Sequence, residues 1–446
     1  MRVSVLVTAV LGATQLLSLP PVSVGGGMVA LDDLMLVTVA GFAFLHFWRL
    51  LTLPSTLMTL AALELIAGTT SSSRPVTIDP ATIGHIVALL AAYLLFVTFY
   101  RSDPDRTITV LARAWLGVGV LSAIVVLAQS AGVLPSFAFP SGVLVIRDRP
   151  TGLQGDANIA ALSLVFALAP IGFTGLSART KAAGFGLIGL AIVATLSRMG
   201  LLLFVGIAVI HWVRLGYRSR WLAALATATL AGLSLIFAIH TPETTVAAPI
   251  ERFESLGQTL DVVKSGEILH SHGLQTDSAA ERILLATGAW QVWRSHPWLG
   301  VGTPHLASEI GTVTGVHKAS HNGVLDRMAI GGLFGLLSVA VWAREGLIAG
   351  RRWNRQRRLI TTQTKQGAAP SHSRAGGPTT YEHAAYEHAG FVVMVFGLTL
   401  AAQFFLNVSL WPTTALALAA RTTWTHSMSA ANSPVTASAN PRMAWA

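Results

Sequence analysis

The chain has 446 residues, of which 52% are apolar and only 11% charged, with a formal net charge of +10. A soluble chain carries about a quarter charged residues, so this balance excludes a soluble globular protein and predicts a chain that crosses a membrane many times. Basic cytoplasmic loops account for the positive charge without a nucleic-acid partner, and zero cysteines exclude disulfides and thiolate-bound metals.

The N-terminal "MRVSVLVTAVLGATQLLSL" has the one-Arg start of a signal peptide, but no small-x-small site precedes Pro20-Pro21, so it reads as an uncleaved first span. Apolar runs then predict about twelve spans, near 3–19, 28–48, 54–71, 81–100, 108–132, 156–176, 182–196, 199–213, 221–240, 323–343, 389–409 and 411–424. The seventh and eighth are divided only by "LSRMG" at 196–200, and the twelfth is short and holds Pro412. Four units follow: spans one to nine over 1–240, a large loop over 241–320, spans ten to twelve over 321–424 with a polar loop at 350–388, and a tail over 425–446 whose composition predicts disorder.

The bias of basic residues orients the chain. With the N-terminus in the cytoplasm, the inside segments collect Arg2, Arg49, Arg101, Arg106, Arg113, Arg179, Lys181, Arg214, Arg218 and Arg220, and then the cluster from Arg344 to Arg358. The short outside loops hold only Arg74, Arg147, Arg149 and Arg198. Both termini are therefore expected in the cytoplasm, and the 241–320 loop outside.

Within that loop, Ser278 and Glu281 have the spacing of a capping box. Leu285, Ala289, Val292 and Trp293 recur at helical intervals until Pro297 ends the run. Trp290, Trp293 and Trp298 suit a helix lying at the headgroup level. Arg282 falls in the first turn, where free N–H groups and the helix dipole favour an anion; the competing reading pairs it with Glu281 or Glu254. His321 and Asn322 stand at the outer start of span ten. A helix N-terminus disfavours imidazolium, so His321 is either a neutral proton acceptor or an interfacial histidine bonded to backbone. Asn322 caps the helix or holds a substrate hydroxyl. Gly331 and Gly335 form a GxxxG face for another helix. Arg149, Arg198, Arg282 and His321 share one side of the bilayer, although Arg198 has a simpler reading as a snorkelling side chain. One base beside several arginines suits a phosphate-bearing substrate and a nucleophilic hydroxyl.

These residues carry a resemblance. "HNGVLDRMAIGGLFG" fits the H-[NSQ]-x9-G-x-x-G pattern of O-antigen ligases through His321, Asn322, Gly332 and Gly335. "RILLATGAWQVWRSHPWLGVG", "RPTGLQGDANIAA" and "LSRMGLLLF" are similar to three further elements of the O-antigen ligase and polysaccharide polymerase superfamily, in the same order, so the resemblance covers about residues 145–410. It implies an all-α polytopic glycosyltransferase of the GT-C class, working without a metal or other cofactor on the outer face of the cytoplasmic membrane. Its donor would be an undecaprenyl-pyrophosphate-linked glycan, and its acceptor a glycan, lipid or protein hydroxyl. His321 would serve as base or orient the acceptor, Arg282 would bind the pyrophosphate and stabilise its charge, Arg149 and Arg198 would complete the anion site, and Asn322, Gly332 and Gly335 would support it. Inversion at the anomeric centre would follow. Where the family has Asn-Pro-Asn this chain reads Asp156-Ala157-Asn158, which puts the role of that turn in question.

A polysaccharide polymerase of the same superfamily is the alternative within the enzyme class. A lipid-glycan transporter is the alternative outside it, but a transporter places ionisable residues near mid-membrane in repeated halves, and here they gather at one face with no internal repeat. In "YEHAAYEHA", His383 and His388 are five apart and so about 140° apart around a helix, which predicts no metal site there.

Overall fold

The computed structural model describes residues 21–24, 27–30, 55–69, 86, 90, 104–138, 145–147, 149–215, 278–320 and 322–365. The spans expected at 3–19, 221–240, 389–409 and 411–424, most of those at 28–48 and 81–100, the 241–277 and 366–388 segments with "YEHAAYEHA", the tail, and His321 itself lie outside these residues. The described chain is mostly helical. Three of its helical stretches are long and apolar enough to cross a membrane: Arg106–Ser130, Ala157–Thr174 and Gly323–Arg351.

Two short ladders depart from the all-helical expectation. β1 (Pro21–Val24) pairs antiparallel with β2 (Gly27–Ala30), setting Val22 opposite Val29. Valine-rich segments either side of a Gly-Gly pair favour a hairpin, so the first residues of the expected 28–48 span are strand. β3 (Ser136–Ala138) likewise pairs with β4 (Val145–Arg147), with Ser136 opposite Arg147.

The membrane helices follow the apolar runs closely. α1 (Ser55–Thr69) is followed by α2 (Pro104–Ser130), which opens on proline, whose missing N–H costs nothing in a first turn. One face of α2 buries Leu111, Ala112, Trp115, Ala123 and Val126, whereas Leu121 and Ile124 are 54% and 52% exposed on the face a bilayer would cover. Trp115 meets Phe166 edge-on at 6.3 Å between ring centres. Phe166 belongs to α3 (Ala157–Leu168), which is buried nearly all round and continues as a 3-10 helix over Ala169–Thr174. Pro170 stands at the start of that tighter stretch, where its ring and missing N–H stop the α-helical ladder. A side chain at Gly119 would strike Ala167, so the glycine allows α2 and α3 to approach closely.

α4 (Ala178–Ala194), capped by the Ser177 hydroxyl accepting from Thr180 N at 3.2 Å, and α5 (Arg198–Leu215) complete this group. At one end of the group, Arg113 Nε donates to Thr174 O at 2.7 Å and Lys181 Nζ to Gly172 O at 3.1 Å, so cations satisfy the last carbonyls of the 3-10 helix. The α2–α3 and α4–α5 connections lie at the other end. Arg149 and Arg198 thus sit at the opposite end of the group from Arg113 and Lys181.

The second group contains α6 (Ser278–Ser295), a 3-10 turn over Thr303–His305, α7 (Leu306–Thr314) and α8 (Gly323–Lys365), with α1 packed along α8. Leu285, Ala289 and Val292 of α6 bury with Val301, Leu306, Ile310 and Ala329. α8 continues well past the expected end of span ten at 343, and Arg351, Arg355 and Arg358 are exposed along its extension. Residues 350–365 of the polar loop are therefore helix: polar side chains end a membrane span without ending a helix.

Candidate active site

The two arginine-bearing elements before the large loop are brought together. Residues 149–156 form a buried turn held by α2. Gln129 Oε1 accepts from Thr151 N at 2.9 Å and Gly152 N at 2.8 Å, and Ser122 donates to Gln154 Oε1 at 2.9 Å. The turn carries Arg149 to the end of α4, where Nε and Nη2 donate to Thr195 O at 3.2 and 2.6 Å. Thr195 caps the helix, so the guanidinium meets an otherwise orphan carbonyl at the negative end of its dipole. Arg149 is therefore engaged by backbone three residues before α5 begins.

Asp156 resolves the departure from Asn-Pro-Asn. Its Oδ1 accepts from Asn158 N at 2.8 Å and Ile159 N at 3.0 Å, the geometry of a helix N-cap. Asn158 Oδ1 accepts from Ser197 Oγ at 3.0 Å, and Ser197 Oγ accepts from Gly200 N at 3.2 Å. A side chain at Gly200 would strike Ala161. The "SRMG" stretch thus docks on α3 through a serine tie and a glycine contact, and Arg198 is the first residue of α5; its side chain lies outside the described residues. Leu196, one step before Ser197, has φ +55° and among the described residues is the one non-glycine in the left-handed region, a conformation costing roughly 1–3 kcal/mol.

α6 begins at Ser278 and ends before Pro297, as its capping and proline signals predict. Glu281 meets another element across the turn. Its Oε1 meets Lys318 Nζ at 2.6 Å, pinning the first turn of α6 to the segment that leads into α8. Arg282 is exposed on the same turn; Glu254 lies outside the described residues. Of the three tryptophans, Trp298 and Trp290 are exposed (71% and 43%), but Trp293 turns inward against the Leu285–Ile310 core, correcting its expected place at the lipid headgroups. Trp293 Nε1 and His296 Nδ1 are buried with no hydrogen-bond partner among the described residues.

The "WLGVG" stretch and the glycines of span ten interlock through backbone. α8 breaks at Gly332 (φ +56°, ψ −126°). Carbonyls released near the break accept from the loop, Val301 N to Ala329 O at 3.0 Å and Gly302 N to Ile330 O at 2.9 Å, while Leu333 N donates to Trp298 O at 3.1 Å. Gly300 (φ +68°) and Gly332 are required there, since a Cβ on Gly300 would lie 2.6 Å from Ala329 O and one on Gly332 2.5 Å from Trp298 C. The expected GxxxG face is half present. Gly331 packs on Ala67 of α1, but Gly335 faces the carbonyl carbon of Arg327, where a Cβ would lie at 2.6 Å. Eight residues of unbroken helix would separate those positions by about 12 Å, so the break is sharp and the glycine serves the chain's own fold.

Asn322 is a helix cap, its Oδ1 accepting from Val324 N and Leu325 N at 3.1 Å each. Asp326, for which the sequence offers no role, is buried and accepts from Ser320 N at 3.0 Å. Among the described residues no cluster of three His, Asp or Glu side chains is placed to hold a metal ion.

A many-helix membrane protein, with a helical segment over 278–314 locked onto a broken membrane helix, is the class these features define. Residues 183–340 match the family model described as O-Antigen ligase. The match bears out the resemblance of this chain to the O-antigen ligase-like superfamily and supports a ligase- or polymerase-like membrane enzyme of polysaccharide biosynthesis. It takes in Arg198, Arg282, His321, Asn322, Gly332 and Gly335 and begins after Arg149. A search of curated proteins finds no match.

Proposed function

We propose that the protein transfers a glycan from an undecaprenyl-pyrophosphate carrier to an acceptor hydroxyl, at the outer face of the cytoplasmic membrane. The acceptor oxygen attacks the anomeric carbon as the bond to pyrophosphate breaks, inverting the centre. His321 takes the hydroxyl proton, and Arg282, with Arg198 and Arg149, meets the charge that develops on the pyrophosphate. Twelve spans, a GT-C architecture, cytoplasmic termini and independence from metal belong to the same reading. So do the four-part organisation at 1–240, 241–320, 321–424 and 425–446, and the support of His321 by Asn322, Gly332 and Gly335.

The Glu281–Lys318 ion pair carries this reading. It ties the turn that holds Arg282 to a residue only three positions before His321, a reach of at most about 10 Å of extended chain. This supports a site in which Arg282, read as the anion-binding cation, and His321, read as the proton acceptor, act together. The test is reconstitution: the purified protein in lipid vesicles is given an undecaprenyl-pyrophosphate-linked oligosaccharide, with or without a lipid A–core acceptor, and products are resolved by gel and mass spectrometry. Appearance of a glycosidic product, persisting with a divalent-metal chelator, is the expected result. Movement of intact carrier lipid across the bilayer without any new bond would assign a transporter instead.

A further inference from the structure

Past its break at Gly332, α8 runs on as one regular helix to Lys365. Its exposed large side chains there gather on one side. Leu333, Leu336, Leu337 and Leu347 are exposed, and so are Arg344, Arg351, Arg355 and Arg358. At 3.6 residues per turn, all eight positions fall within about 100° of arc around the axis. Ser338, Trp342, Glu345 and Ala349 are buried on the opposite side. The face turned away from the protein is therefore apolar as far as Leu347, apart from Arg344, and cationic beyond it. Arg344 Nη1 stands 3.5 Å from the buried Glu345 Oε1, and its long stem can carry the charge along the apolar surface. From residue 346 to 365 the chain has no Asp or Glu, so no carboxylate of this stretch offsets the arginines.

Exposed leucines on a membrane-spanning helix face acyl chains, and the same face must meet headgroups where the apolar stretch ends. Leu347, 63% exposed, is the last leucine of the stripe. Arg351 lies one turn beyond it, about 6 Å along the axis, and Arg358 about 10 Å further. That reach is comparable with the ~10 Å over which a charged surface is felt in salt. We propose that Arg351, Arg355 and Arg358 form a binding surface for anionic phospholipid headgroups, in the leaflet from which this end of α8 emerges. The occupant follows from continuity and charge. A molecule that covers the leucines also reaches the arginines, and a phosphodiester on acyl chains matches both halves, since guanidinium groups pair well with phosphate oxygens. Basic clusters that directly follow a membrane span attract anionic lipid in this way. The contact anchors the far end of the helix onto which the 278–314 segment is locked.

The chain has no cysteine, so Leu347→Cys gives a single labelling position on this face, one turn before Arg351. The full-length protein, carrying a fluorophore there, is placed in vesicles of phosphatidylethanolamine and phosphatidylglycerol, one of which bears brominated chains that quench on contact. An arginine near an anionic surface favours it roughly fivefold, so three at graded depth should give about a tenfold preference for phosphatidylglycerol at this site. The preference should shrink in about 1 M salt, where screening shortens to ~3 Å. Arg351→Gln, Arg355→Gln and Arg358→Gln together should reduce it to about twofold or less, whereas Lys at the same three positions should keep most of it; both residues suit an exposed helix, so the fold is retained. Arg106→Gln, Arg179→Gln and Arg294→Gln, which remove equal charge from exposed positions on α2, α4 and α6, should leave it in place. Equal quenching by the two lipids in the otherwise wild-type protein overturns the proposal and assigns the stripe to an acidic macromolecule instead. A preference that survives the Gln triple variant or high salt overturns it as well, as does one lost equally in the Lys triple or in the control triple.

Discussion

Gly300→Ala isolates the lock between the segment that follows α6 and α8. At φ +68° an alanine is strained, by roughly 1–2 kcal/mol. Its Cβ would also lie 2.6 Å from Ala329 O, inside the space that two backbone hydrogen bonds now close. The atoms it meets are main chain, so no side chain can swing aside, and the segment must lift from the helix. Lifting weakens Val301 N to Ala329 O, Gly302 N to Ile330 O and Leu333 N to Trp298 O. At about 1 kcal/mol for each bond, the strain and the lost bonds together come to roughly 4 kcal/mol. Gly350→Ala is the control: nothing lies within 4 Å of its added Cβ, and it sits inside α8, where alanine is favoured by about 1 kcal/mol. Thermal unfolding of the purified proteins in detergent should show Gly300→Ala melting several degrees below wild type, with Gly350→Ala equal or higher. Glycan transfer should fall in Gly300→Ala even at temperatures where it stays folded, because α6 no longer holds its place on α8. A Gly300→Ala protein as stable and active as wild type would refute the lock.

Asn322→Ala removes the oxygen that accepts from Val324 N and Leu325 N and should destabilise by about 1 kcal/mol in the same melt, whereas Asn322→Asp should hold near wild type. Gln129→Leu strips the acceptor shared by Thr151 N and Gly152 N in a buried turn. It should cost roughly 2–4 kcal/mol, and thiol labelling of a cysteine introduced near Arg149 should show the loosened turn. Lys318→Ala breaks an ion pair whose side chains are 58% and 26% exposed; unfolding should shift by less than about 1 kcal/mol, while transfer falls because the segment before His321 loses its anchor to α6.

Local signals in the sequence carried over into the structure, and non-local ones did not. The bounds of α6, Ser278 and Ser295, fall where the Ser278–Glu281 spacing and Pro297 put them, signals written within a few residues. The division of two apolar runs at "LSRMG" likewise appears as the break between Ala194 and Arg198. The pairs Gly300 with Ala329 and Gly332 with Trp298 join residues about thirty apart. Their spacing could be matched to a pattern, but that pattern does not state whether a glycine admits a neighbouring helix or breaks its own. Gly331 did the first and Gly332 the second. Arg149 was legible as a cation on one side of the bilayer, but not as the partner of the Thr195 carbonyl, because only the folded α4 presents that carbonyl. Asp326 is a charge in an apolar run, but its acceptor role joins it to a backbone amide six residues away, which only the folded turn presents. By contrast His211, buried on α5, bonds Ala169 O at 3.1 Å and packs edge-on against Phe185, contacts that tie α5 to its neighbours.

His321 is assigned the opposite character, and transfer by the purified protein tests that directly. Wild type, His321→Ala, Arg282→Ala and the double variant are compared at equal amounts in vesicles, with undecaprenyl-pyrophosphate-linked oligosaccharide as donor. Each single variant should remain folded in the membrane and lose ~10²-fold or more in kcat, and the double variant should lose less than the product of the two, as residues acting in one step do. Transfer by His321→Ala at the wild-type rate would contradict the account.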